Sequence, residues 1–137
     1  MRLGTEMFVE GEQQLGRYQV AIARQKGDNW VATVPPLYVL ATNYRLILWP
    51  QTLKPYTPAS IPCTYIVEAR EMDMGQRCGL MLWLKTGHRI YMLIPSTTST
   101  SLSDNIRHMV KPPKNSVFAS HLARRDLMRL IKFLGKP

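Results

Sequence analysis

Leu37-Tyr38-Val39-Leu40-Ala41-Thr42-Asn43-Tyr44-Arg45-Leu46-Ile47-Leu48-Trp49 is the stretch that decides the fold. Two apolar, β-prone runs, Leu37 to Ala41 and Arg45 to Trp49, flank Thr42-Asn43-Tyr44, a separation short enough for a hairpin. Pro50 closes the second run, because proline cannot donate to a ladder. Upstream, within Arg17 to Arg24, Tyr18, Val20 and Ile22 alternate with Gln19, Ala21 and Ala23, the period of a half-buried strand. Gln25 to Asn29 is turn chemistry. Trp30 to Val34 reads as a short strand or part of a loop, ended by Pro35-Pro36.

Downstream, Gln51 to Pro58 is a loop. Ile61 to Glu71 predicts one strand, with Pro62 near its start, where a missing N–H is tolerated at an edge. Leu80 to Leu84 and His88 to Ile94 predict a hairpin, and Gly87 in Lys85-Thr86-Gly87 can take the left-handed conformation its loop needs. Past Pro95 the period changes. Leu102, Ile106, Met109 and Val110 share one helical face, and Ser101-x-x-Asp104 predicts an N-terminal cap for a helix over 101–110. Lys111-Pro112-Pro113-Lys114 breaks the pattern. A second helix follows, with Ala119, Ala123, Leu127, Leu130, Ile131 and Leu134 on one face. Six or seven strands followed by helices predict a mainly β, α+β domain, either an antiparallel sheet or a barrel with a helical cap.

The 137 residues suit one domain, divided into a lead-in (1–16), a β domain (17–110) and a proline linker with a basic amphipathic helix (111–137). The net charge of +9 is uneven. Residues 1–104 hold 10 Lys/Arg against 8 Asp/Glu, and residues 105–137 hold 8 against Asp126 alone. Such a field either attracts phosphates, on lipid or nucleic acid, or simply solvates a helix. Two cysteines exclude a disulfide scaffold, and no apolar run has the length of a membrane span. These features point to a cytoplasmic protein able to associate peripherally with a membrane.

The stretch Leu40-Ala41-Thr42-Asn43-Tyr44-Arg45-Leu46 resembles the "L-T-N-x-R-L" hairpin of GRAM and bacterial pleckstrin-homology-like domains. Ile61-Pro62 with Ile66-Val67-Glu68, and Gly79 to Tyr91, resemble the next strand and hairpin of that family, over about residues 17–110. The resemblance implies an antiparallel barrel of two packed sheets closed by a C-terminal capping helix, here with an extra basic helix. It implies a docking platform for lipid headgroups, peptides or protein surfaces, and a basic cluster near the first hairpin. Arg17, Arg24, Lys26 and Arg45 are the residues that could approximate it.

His88, His108 and His121 are far apart, and Cys63 and Cys78 lack ligand spacing, so the expectation is no metal, no cofactor and no enzymatic activity. The expected function is non-enzymatic docking to a protein partner or an anionic membrane surface. Arg124, Arg125, Arg129, Lys132 and Lys136 of the last helix would supply charge. Nucleic-acid binding by that helix is the alternative, as is a structural homo-oligomer. Leu127, Leu130, Ile131 and Leu134 are candidate interface residues, buried against the chain's own barrel or a second copy. Trp30 either packs over the barrel's open edge or anchors a partner.

Overall fold

The Thr42-Asn43 hairpin forms as expected and sits in the middle of one antiparallel sheet. A computed structural model describes residues 8–32, 37–50, 59–75, 77–94 and 99–111. Its strands are β1 (Gln14–Lys26), β2 (Asn29–Ala32), β3 (Leu37–Thr42), β4 (Arg45–Pro50), β5 (Ala59–Pro62), β6 (Ile66–Met74), β7 (Arg77–Leu84) and β8 (Arg89–Leu93), followed by the helix α1 (Ser99–Arg107). The protein is therefore mainly β, an open antiparallel sheet of eight strands with one short helix among the described residues.

The sheet runs β5-β4-β3-β1-β8-β7-β6, with β2 paired to the end of β1. Thirteen-residue β1 joins two arms. Its first part pairs with β3, Ala21 and Ile22 pair with β8, and its last four residues pair with β2. Strand β1 begins at Gln14, so part of the expected lead-in belongs to the sheet. A two-residue loop, Gly27-Asp28, joins β1 to β2. Gly27 has φ +63°, as the first position of such a turn requires. Gly87 adopts the expected left-handed conformation, with φ +92°.

Two expectations are corrected. Ile61–Glu71 is not one strand. Pro62 ends β5, a 3-10 turn at Cys63–Tyr65 intervenes, and β6 starts at Ile66. The chain passes there from the outermost strand of one arm to the outermost strand of the other. The helix starts at Ser99 and ends at Arg107, not over 101–110. Val110 leaves the apolar face, is 53% exposed, and donates its N–H to the Asn43 carbonyl. The second helix expected over 114–134 lies outside the described residues.

One core fills the inner side of both arms. Tyr18, Val20 and Ile22 of β1 meet Val39, Leu46 and Leu48 from one arm and Leu80, Leu82, Ile90 and Met92 from the other. Leu102 and Ile106 of α1 join this core, and the helix packs against β1, β3, β6 and β7. Burial of such side chains contributes about 1.5–3 kcal/mol each, which outweighs the weak intrinsic preference of a nine-residue helix. Ser103 donates to Glu71 of β6 at 2.7 Å, adding a polar tie between helix and sheet. No helix among the described residues is long and apolar enough to cross a membrane.

Candidate functional site

The sequence places Arg45 among the anion-binding candidates, and the structure removes it from them. Arg45 and Glu12 form an ion pair whose side chains are only 6% and 0% exposed. Arg45 donates through Nε to Glu12 Oε2 at 2.9 Å and through a terminal nitrogen to Glu12 Oε1 at 3.1 Å, a two-pronged geometry. Its other terminal nitrogen donates to Ser60 Oγ at 2.8 Å. Thr42 donates its hydroxyl to Glu12 at 2.6 Å, and the same oxygen accepts from the backbone N–H groups of Tyr44 and Arg45. Asn43 holds the segment before β1 in turn: its side chain accepts from Gln13 N–H and donates to the Gly11 carbonyl. The Thr-Asn-x-Arg signature is thus a clasp for residues 8–13 rather than a ligand site. A signal was available in the sequence. An arginine beside an otherwise apolar strand, two residues before Ile47, needs an acid, and Glu6, Glu10 and Glu12 stand in the lead-in.

The remaining basic candidates of the first hairpin divide. Arg24 and Lys26 are exposed, two residues apart on β1, and share one face. Arg24 pairs in register with Val31, which is 46% exposed, so charge and apolar surface lie side by side at the tip. Asp28 is the acid of the same turn. Arg17 does not join them. It lies seven residues earlier, about 23 Å along an extended strand, and in the opposite phase. Arg124, Arg125, Arg129, Lys132, Lys136, Leu127, Leu130, Ile131 and Leu134 lie outside the described residues.

Trp30 points to the other face of the same hairpin. Its ring lies 5.0 Å from that of Tyr91, tilted by 45°, and it packs with Ala23, Met74 and Leu93 in a small second cluster. It is half-buried. Arg77 donates to the Trp30 carbonyl at 3.0 Å. On the next strands Leu80, Leu82 and Leu84 face the core, so Met81 and Trp83 face outward. Register places Met81 beside Tyr91 and Trp83 beside Arg89, whose guanidinium lies 5.2 Å from the Trp83 ring. This outward cluster was missed in the sequence because both phases of the β7–β8 hairpin are apolar, and alternation then says nothing about which face is inside.

Cys63 and Cys78 are free thiols. Burial pushes the Cys63 thiol above its ordinary value of 9.0, with backbone hydrogen bonds at Cys63 and Thr64 acting in the opposite direction. Cys78 and His88 stand at opposite ends of the β7–β8 pair. His88 Nδ1 is 2.8 Å from Thr86 Oγ1, and His108 Nδ1 is 2.7 Å from the Asp104 carbonyl. Among the described residues no three His, Cys, Asp or Glu side chains gather to hold a metal.

No protein-family model matches the chain, and no curated protein sequence matches it. Among solved structures it is similar to the C-terminal domain of an unknown protein from Leishmania infantum. The match has a TM-score of 0.50 and 14% identity, and covers 72% of this chain and 84% of that one. A likeness at this identity concerns the fold alone.

Proposed function

We propose that the chain is a docking module with a pleckstrin-homology-like arrangement of strands, and that it binds anionic membrane surfaces without catalysing a reaction. Three features support the arrangement: β1 is shared by two arms, both arms feed one core, and α1 packs against both. The observation that carries the binding is the β1–β2 tip, where exposed Arg24 and Lys26 share a face beside exposed Val31. A basic side chain at an anionic bilayer contributes about 1 kcal/mol, and an adjacent valine can enter the headgroup boundary. The excess charge of residues 105–137 adds to the attraction at longer range, screened beyond about 8 Å at physiological salt.

Co-sedimentation with vesicles of phosphatidylcholine alone, and with added phosphatidylserine, tests this reading. The expected result is salt-sensitive binding to the anionic vesicles only, reduced about tenfold or more in R24E/K26E. Equal binding to both vesicles, or an unaffected variant, overturns it. Titration of a random DNA duplex addresses the nucleic-acid alternative. Tight binding there, with a steep salt dependence, would favour that alternative.

A further inference from the structure

We infer that the outward face of β6, β7 and β8 is a second docking surface, distinct from the basic hairpin tip, and that its occupant is an acidic protein segment carrying apolar side chains. An antiparallel sheet with one face on the core normally turns polar residues outward. Here Met72, Trp83 and Tyr91 occupy outward positions and are half-buried, while Met81 and Leu93 of the same face are buried. The first arm has a similar outward apolar pair, Leu40 and Ile47, and residues before β1 lie over it. Over the second arm, among the described residues, the Trp30 indole is what packs against the face.

Charge selects the occupant. Arg70, Arg77 and Arg89 stand exposed around the apolar patch; Glu68, the one acid that register places among them, pairs with Arg70 at 2.7 Å, so the net charge of the rim rests on Arg77 and Arg89. A second copy docking face to face would bring these arginines against their own counterparts. The chain's own residues 112–137 carry six Lys/Arg against Asp126, so they meet the same repulsion. An acidic segment meets none. Ring geometry favours protein over nucleic acid. Bases stack on open aromatic faces, but the Trp83 face is occupied by Arg89 and the Trp30 ring leans on Tyr91. Their edges, with the adaptable, half-buried Met72, suit aliphatic and aromatic side chains of a polypeptide.

The test is a titration of the 15N-labelled full chain, followed by NMR, with three probes. One is a peptide of about 12 residues alternating Glu with Leu and Phe, one is its Lys-for-Glu counterpart, and one is an oligo-dT of similar length. The acidic peptide is expected to move the Trp83 indole N–H and the amides of β6, β7 and β8, with at least about tenfold higher affinity than its basic counterpart. R77E/R89E is expected to weaken it about tenfold, whereas R24E/K26E leaves it unchanged. If charge reversal lowers the melting temperature, R77S/R89S supplies the same readout with a smaller expected loss. Four results overturn the inference: equal affinity for the two peptides, indole shifts with oligo-dT but not with the acidic peptide, concentration-dependent shifts without any probe, or Overhauser effects between Trp83 and Leu127 or Leu130 in the unliganded chain.

Discussion

The outer faces of the two arms differ in what covers them. On the β3–β4 side, Phe8 packs with Tyr38 over Leu40 and Ile47, and Glu12 closes over Arg45 and Thr42, with Arg45 reaching on to Ser60. On the β6–β8 side, outward aromatic and methionine side chains are rimmed by exposed arginines. An arginine is therefore an internal fastening on one arm and a surface charge on the other. Its role follows from whether an acid from elsewhere in the chain reaches it. The same contrast separates the two short turns. The polar groups of Thr42-Asn43 are spent on residues 11–13, Tyr44, Arg45 and Val110, whereas the residues from Arg24 to Asn29 are exposed.

The contrast breaks most visibly at Glu12. Glu12→Ala leaves the Arg45 guanidinium buried without its partner and is expected to lower stability by about 3–5 kcal/mol, read by urea unfolding. Glu12→Leu combined with Arg45→Met removes both charges and should cost clearly less than Glu12→Ala. A loss below about 1 kcal/mol for Glu12→Ala would mean that residues 8–13 are no real cover for this arm.

The next largest effect concerns the apolar half of that cover. Phe8→Ala is expected to cost about 1–2 kcal/mol, less than full burial of a phenylalanine, because Phe8 is only partly buried. It should also raise the protease sensitivity of the segment before β1. No change in either measurement would leave the polar contacts of Glu12 and Asn43 as the whole attachment.

Arginines of the other arm should behave oppositely. Arg89→Ser is expected to cost about 0.5–1 kcal/mol, the size of an exposed cation–π contact, and Arg77→Ser within about 0.5 kcal/mol. Thermal melts of these two beside Arg45→Ser give the sharpest form of the comparison. Losses above about 3 kcal/mol for the first two would show that the outward face is structural rather than available for docking.

The smallest effect lies at the 3-10 turn between the arms. The pH–rate profile for iodoacetamide alkylation of Cys63, measured in C78S, should have its midpoint above 9.0, because burial disfavours the thiolate. The linked stability has a definite sign. The folded state holds this proton more tightly, so the contribution is complete below pH 9.0 and is lost as pH rises through the folded-state value. A midpoint at or below 9.0 would mean that the turn opens to water.

Local pattern was enough for the strands that alternate and for the turns that need glycine. Tyr18, Val20 and Ile22 show the inner face of β1, and the Thr42-Asn43 and Gly87 loops mark their hairpins, because these signals act within a few residues. The fate of Arg45 was not legible in the same way. Its partner lies 33 residues away and is brought to it by the pairing of β1 with β3. Nor was the break at Cys63–Tyr65 legible, since nothing local distinguishes a continuing strand from one that must change arms. Sequence alone thus determined the β character, the hairpins and the helix that follows them, through short-range periodicity and turn geometry. Tertiary structure decided which arginine is buried and which is exposed, where Val110 turns away from its helix, and which of two apolar faces looks outward. Each of those depends on a contact between residues distant in the chain, and burial and ion pairing are properties of the assembled surroundings rather than of the residue.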